Sequence, residues 1–443
     1  MKKLIQILFG IFLFTFPFTF RWVAYEQASY RFGNFNPWVT GFVYLPEILL
    51  GAIFVLWIIH KLQTADHKLQ FKSSGLWALF FLFAINAFVI TLLNGDAFLG
   101  AIFILRLLEG LMVFWLISDQ ILETKHIITI LLFGAFVQIV WGYFQVKYNH
   151  SLGLWFLGES AVGPDILGVA KIDLTESVKQ IRAYGSFLHP NILAAYLLTV
   201  FFVSLKYLKS QSKLFWLAIF AWGIYLTHSR AAMLVGLAAL GLYFLFYCFR
   251  PISFRKSIAL MAVVLLALGN FWFFKNSRVI NLRDAALQER LSQNLISRDI
   301  LQENYLGVGV NNFTLAIEEY SGCEENCGSN CGPDCEPRKF LPWEFQPVHN
   351  TYFLILNEVG IQGLIILALF LVALFDLYWY AGKAIPIFVL LFLAPFDHYL
   401  WDSWIGIILI GLVAGFFAVE NHKEGVVEHI IDIITHKDEE DDI

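Results

Sequence analysis

Long apolar runs, broken by short polar stretches, fill the chain from near its start almost to its end. A hydrophobic run of about 18 or more residues suits a helix that crosses a bilayer. The pattern predicts twelve such spans, at roughly 4–20, 38–59, 75–93, 97–118, 127–146, 187–205, 214–228, 231–249, 257–274, 351–375, 384–399 and 403–419. The expected fold class is therefore an all-α polytopic membrane protein. The opening "MKKLIQILFGIFLFTFPFTF" starts like a signal peptide. It has no small-residue cleavage site, and Arg21 and Trp22 follow directly, so it reads as a retained first helix.

Loop charge orients these spans, because short cytoplasmic connections carry an excess of Lys and Arg. With the N-terminus inside, the short inner segments hold Lys2, Lys3, Lys61, Lys68, Lys72, Lys125, Lys206, Lys209, Lys213, Arg250, Arg255, Lys256 and Lys383. The short outer connections hold only Arg21, Arg31 and Arg230. Both termini are then cytoplasmic. The expected organisation is helices one to nine over 1–274, a large extracytoplasmic loop over 275–350, helices ten to twelve over 351–420, and an acidic cytoplasmic tail over 421–443. A loop that long is more than a connector. Within it, "NLRDAALQERLSQNLISRDILQEN" has helical apolar spacing and is expected to lie along the outer surface.

Composition agrees. The chain of 443 residues is 58% hydrophobic and 15% charged, with mean hydropathy +0.67. Soluble domains are nearer a quarter charged. The 45 Phe suit lipid-facing surface and interfacial belts. Lys and Arg are scattered over loops with no basic stripe, which argues against nucleic acid as a partner. The Cys-rich insert at 322–336 places Cys323, Cys327, Cys331 and Cys335 four apart, with Gly and Pro between them that forbid a helix. On the outer side disulfides persist. Two local disulfides, a metal site and free thiols all stay open, although the spacing is not a usual zinc pattern.

Ionisable residues inside spans are costly. Arg106 and Glu109 lie three apart, so they can pair on one helix face or face a substrate. Glu47 follows Pro46 and reads as a solvated residue at the outer edge. Glu358 lies nine residues after His349, roughly 14 Å along a helix and on the opposite face, which points to pairing within the bundle. Gly360 and Gly363 read as close helix contacts. Three other residues meet at the outer face: Arg182 before span six, Arg230 at the tight turn between spans seven and eight, and His349 before span ten. A guanidinium fork with no carboxylate beside it suits a phosphate, and His can take a proton near neutral pH.

At these residues the chain resembles the superfamily of O-antigen ligases and Wzy-type polymerases, a branch of the membrane-embedded (GT-C-like) glycosyltransferases. Four segments in order carry the resemblance: "RAYGSFLHPNILAAYL", "THSRAAMLVG", "ENYLGVGVNNF" and "HNTYFLILNEVGIQG". Tyr305 stands where the family usually has Pro, and Phe353 where it has Leu. The resemblance implies transfer of a glycan from an undecaprenyl-diphosphate carrier to an acceptor hydroxyl on a glycan, lipid or protein. The setting would be the outer face of a bacterial inner (cytoplasmic) membrane, among membrane lipids, with no metal and no cofactor. It implies that Arg182 and Arg230 hold the diphosphate and that His349 activates the acceptor. Asn350 and Asn191, which lie in the matching segments, are substrate-binding candidates. Arg290 and Arg298 in the large loop either contact phosphate or acceptor or are ordinary helix-surface charges. The Cys-rich insert is not a family feature. A polymerase of the same superfamily is the first alternative. A transporter fits less well, because transporters place polar groups at midplane in broken, repeated helices.

Overall fold

The computed structural model describes residues 1–31, 34–64, 74–175, 178–248, 285–317, 345–378 and 385–419. The predicted ninth span, the insert 322–336 with Cys323, Cys327, Cys331 and Cys335, and the tail 421–443 lie outside the described residues.

The protein is mostly helical. Its helices are α1 (Lys2–Thr15), α2 (Leu45–Gln63), α3 (Ser74–Asn94), α4 (Ala97–Ser118), α5 (Thr124–Tyr148), α6 (Pro190–Ser204), α7 (Ser210–Thr227) and α8 (Arg230–Cys248). Further along come α9 (Ala285–Glu303), α10 (Thr351–Tyr378), α11 (Ile385–Leu393) and α12 (Trp404–Val419), with short helical turns at Phe313–Ala316 and Tyr399–Asp402. Four of them are long and apolar enough to cross a membrane: α2, α4, α5 and the stretch Thr351–Ala373 of α10. Shorter apolar helices at Ala78–Asn94, Pro190–Ser204, Arg230–Leu245, Ile385–Phe396 and Trp404–Val419 accompany them. Large apolar side chains such as Val55, Phe133, Leu237 and Leu369 face outward, as lipid-facing surface requires. Helix α6 is buried on all sides from Ile192 to Ser204, packed among α5, α7, α8 and α11. A helix apolar all round belongs in the middle of a bundle.

Among the described residues, sheet is confined to three two-stranded ribbons. In the first, β1 (Arg21–Tyr25) pairs with β4 (Gly41–Tyr44), with the small ribbon of β2 (Tyr30–Arg31) and β3 (Asn34–Phe35) between them. The second predicted span is therefore shorter than 38–59. Residues 41–44 are strand, and α2 starts only at Leu45. The Glu47 carboxylate fixes that start, accepting from Tyr44 N–H at 2.8 Å across the first turn. Strands β5 (Lys171–Asp173) and β6 (Lys179–Ile181) make a hairpin in the loop after α5.

The intramembrane charges pair differently from expectation. Glu47 is buried, not solvated. Arg106 pairs with Glu47 at 3.6 Å and donates to the Phe42 carbonyl at 3.3 Å and the Asp402 carbonyl at 3.4 Å. Glu109 instead accepts from Trp404 Nε1 at 2.8 Å. Arg106 thus ties α4 to the 21–44 ribbon, to α2 and to the turn before α12, because a buried charge needs several partners at once.

Helix α10 is broken at Gly360, where φ is 73° and ψ is 179°. The segment after α9 closes the break: Val308 N–H donates to Asn357 O at 2.9 Å, Gly309 N–H to Glu358 O at 3.0 Å, and Ile361 N–H to Tyr305 O at 3.2 Å. Gly360 is thus more than a close helix contact. Its positive φ favours glycine, and a Cβ there would collide with the Leu306 carbonyl. The Glu358 carboxylate accepts from Trp401 Nε1 at 2.6 Å and from Phe313 N–H at 3.4 Å, so it holds this segment as well as the bundle. The other side of the segment is pinned to the α3–α4 turn. There Asn94 Nδ2 donates to Gly307 O at 2.7 Å, and Val310 N–H donates to Thr91 Oγ1 at 3.0 Å.

Candidate functional site

Four helix ends surround the site: the starts of α6, α8 and α10 and the end of α7. The turn between α11 and α12, the helix α9 and the ribbon residue Trp38 complete its walls. The loop after α5 is held rigidly enough to place Arg182. Glu159 is its hub, accepting from Leu152 N–H at 2.8 Å, Leu154 N–H at 2.7 Å, Trp141 Nε1 at 2.9 Å and Gln145 Nε2 at 2.8 Å. Burial opposes the Glu159 charge, but these donors win and hold its carboxyl below the usual range. Gln145 Oε1 in turn accepts from Tyr184 and Gly185 N–H, which fixes the segment next to Arg182.

The half-buried Arg182 uses its fork in two directions. Its Nε donates to Thr227 O at 2.6 Å, and one terminal nitrogen donates to Asn191 Oδ1 at 2.8 Å. Thr227 ends α7. His228 turns the chain through a left-handed conformation, and Arg230 opens α8 as an exposed residue. The bond to Thr227 therefore sets Arg182 beside the turn that carries Arg230. Burial lowers the Arg182 pKa, and the positive charges of Arg290 and Arg230 push the same way against Tyr184 and Asp397. Three cations within reach of one another form a field that attracts an anion.

Asn191 is the bridge. It accepts from Arg182 and donates through Nδ2 to Asp397 Oδ2 at 2.7 Å. Its position follows from local rules: Pro190 opens α6, and the His189 side chain caps it, accepting from Asn191 N–H at 3.2 Å. Asp397 also joins the start of α10, since its carbonyl accepts from the Thr351 N–H at 3.0 Å and hydroxyl at 2.7 Å.

His349 lies just before α10. Its Nδ1 is 2.7 Å from Gln293 Oε1, an acceptor, so Nδ1 carries the hydrogen and Nε2 keeps its lone pair. Gln293 and Arg290 are three apart on α9 and share a face. Arg290 makes no hydrogen bond or ion pair among the described residues, and its charge is felt by Arg182, His189, His349 and His398. Burial drives the His349 pKa down to about 3, with Asp397 opposing, so the imidazole is neutral at neutral pH.

Two other candidates have different duties. Asn350 is buried and caps α10, its Oδ1 accepting from Tyr352 N–H at 3.0 Å and Phe353 N–H at 3.2 Å. That oxygen holds the start of the helix. Arg298, further along α9, has no hydrogen bond or ion pair to this cluster among the described residues. The residues that sequence reasoning missed are Asp397, His398, Asp402 and Gln293. The signal for the first three was present: "FDHYLWD" puts three ionisable groups close together where two apolar runs meet.

His398 meets the His349 ring edge-on at 5.2 Å between centroids and packs against Trp38 at 4.8 Å. His349, Asp397 and His398 bring one ligand-type atom each to within 4.8 Å of one another, and by donor type alone such a group could hold a metal ion. The charge of Arg290 acts on both histidines, and that of Arg182 reaches Asp397 through Asn191. Positive charge there repels a cation, so proton chemistry fits these groups better.

Residues 214–368 match the family model for O-antigen ligases. The match includes Arg230, Arg290, Arg298 and His349, while Arg182, Asn191, Asp397 and His398 lie outside it. A search of curated proteins finds no match.

Proposed function

We propose that this member of the O-antigen ligase superfamily moves a glycan from undecaprenyl diphosphate to an acceptor hydroxyl on the outer face of the bacterial cytoplasmic membrane. The twelve-span topology with both ends cytoplasmic is part of this reading, and it puts Arg182, Arg230, His349 and Asp397 on one side. The family match supports glycosyl transfer of the ligase or polymerase type, between a lipid-linked glycan and an acceptor in the membrane. The observation that carries the finer reading is the meeting of three arginines with one neutral histidine whose Nε2 lone pair is available.

The chemistry needs a held anion and a base. Arg182, Arg230 and Arg290 hold the diphosphate and neutralise the charge that develops as it leaves. A preorganised donor of this sort is worth about 2–4 kcal/mol in the transition state. The acceptor oxygen attacks the anomeric carbon, and the bond from that carbon to the diphosphate oxygen breaks with its electron pair leaving on the diphosphate. The acceptor proton passes to His349 Nε2, a contribution of about 10²–10⁴-fold. His349 holds a proton poorly in the empty site, but the bound diphosphate brings negative charge beside it and makes the proton easier to accept. Asp397 then faces the new imidazolium. Metal ions have no part in this scheme.

The test is glycan transfer by His349→Ala and Arg230→Ala proteins at normal expression. Both should lose transfer, and normal transfer by both would refute the proposal. The family match also supports polymerase action. A deletion strain separates the two: unattached polymer marks a ligase and lost polymer a polymerase.

A further inference from the structure

We propose that His398 and Asp402 are a positioning pair that keeps a fixed positive charge behind Asp397, and that glycan transfer depends on that charge. The proposal rests on the reading above and extends it to residues that touch no substrate.

The pair sits on the turn between α11 and α12, outside the apolar helices. Asp402 Oδ2 is 2.8 Å from His398 Nδ1. The other Asp402 oxygen is buried and has no hydrogen-bond partner among the described residues. A buried carboxylate whose single side-chain partner is an imidazole is costly unless that imidazole carries the balancing charge. The far side of the ring gives the same answer, since His398 Nε2 faces Asp397 Oδ1 at 3.7 Å. With a proton on each nitrogen, His398 has a carboxylate on both sides. With Nε2 bare, a lone pair would face a carboxylate in a buried place.

Among the described residues, the titratable, charged and aromatic groups that face the pair can be named, and they include Glu358 of α10, whose carboxyl feels the Asp402 charge. Asp397 and Asp402 belong to its own turn, His349 comes from before α10, Arg290 from α9, His189 from before α6 and Trp38 from the ribbon. Arg106 reaches Asp402 only at its backbone carbonyl. Burial and Arg290 act against a proton on His398, but the two carboxylates outweigh them and hold its pKa above the usual value.

The result is a row of alternating charge. Asp402 is negative, His398 positive and Asp397 negative, and His349 becomes positive when it takes the acceptor proton. Asp397 also orients Asn191, and through it Arg182. The fixed charge on His398 keeps Asp397 ionised and aimed while the neighbouring groups change charge. The folded-state pKa of His398 is raised, so its charge is in place at low pH and is lost as pH rises through that value.

The experiment is a pH profile of glycan transfer with the full-length protein in membranes, for wild type, Asp402→Asn, Asp402→Glu and His398→Gln. The wild type should lose kcat on the alkaline side. In Asp402→Asn that alkaline limb should move to lower pH, with KM for the lipid-linked donor unchanged, since the three arginines are untouched. A shift of one pH unit costs about tenfold in protonated His398 above the limb. Asp402→Glu should keep the wild-type limb, which guards against a variant that simply folds badly. His398→Gln should show lower kcat and no alkaline limb.

A purely structural pair would lower kcat evenly without moving the limb, and that result would overturn the proposal. So would loss of transfer on chelation with recovery on adding a divalent metal, because the cluster would then hold a metal. Failure of the underlying reading looks different: His349→Ala and Arg230→Ala would remain active.

Discussion

Replacing Asn191 by Leu tests the link between the two halves of the site. Leu has a similar volume and no polar atoms, so α6 keeps its packing. The change removes two hydrogen bonds to charged groups, one from Arg182 at 2.8 Å and one to Asp397 at 2.7 Å. Each such bond is worth about 1.5–3 kcal/mol. Arg182 and Asp397 can recover part of this by turning toward each other, but that movement draws the guanidinium away from the proposed diphosphate site. A net loss of about 3 kcal/mol at the transition state corresponds to roughly 10²-fold in kcat/KM. Arg182→Lys keeps the charge, but a single ammonium cannot reach both Thr227 O and Asn191 Oδ1 with the geometry of the fork. It should cost a similar amount. The assay is transfer of labelled glycan from the lipid-linked donor by each single variant and by the double variant. If Asn191 acts by holding Arg182, the double variant loses little more than the worse single one, a coupling of about 0.5–3 kcal/mol. Losses that multiply in full, near 10⁴-fold, would refute the bridge.

Asn350→Ala should lower thermal stability by about 1 kcal/mol as a lost N-cap, and leave transfer within a few-fold of wild type. His349→Ala, one residue away, should do the reverse, and a melting curve paired with a transfer assay separates them. Gly360→Ala places a Cβ in a region of φ and ψ open almost only to glycine, so it should cost at least about 1–3 kcal/mol. Limited proteolysis should then cut the released 304–313 segment faster than in wild type. Arg106→Met leaves Glu47 and its buried charge unpaired, a loss of about 3–5 kcal/mol that the melting temperature in detergent should report.

Much of the helical pattern was legible because a bilayer imposes one rule on every span. The long apolar runs of α4, α5 and α10 stood out for that reason. Residues 41–44, "GFVY", are as apolar as a span, and hydropathy does not distinguish a strand pair at the membrane edge from the first turn of a helix. The clue was Pro46 with Glu47, a helix-start signal one residue inside the true boundary. In the site, Arg182, Arg230 and His349 could be singled out because each is a charged or titratable group just beside a span. Asp397 and His398 lie in an apolar stretch, and the groups they meet from other elements are 46 or more residues away in the chain. Gln293 gave no signal at all, since one Gln on an amphipathic helix looks like any other. Arg106 paired across to Glu47 and not down its own helix to Glu109, because spacing within a helix cannot report what a neighbouring helix offers.

The broken α10 has a consequence for how the chain is made. Residues 304–313 leave the ribosome before α10 does, and Thr91 and Asn94, which grip them from one side, leave earlier still. The backbone groups freed at Gly360 are offered last, by a helix that is made after its partners. An exposed helix break inside lipid is costly. In the proposed topology, the insertion of α10 is thus completed by a strip of chain that crosses the membrane ahead of it. Assembly of the proposed catalytic face and integration of this late helix are one event, so a chain stalled between 317 and 351 would hold the lock without the key.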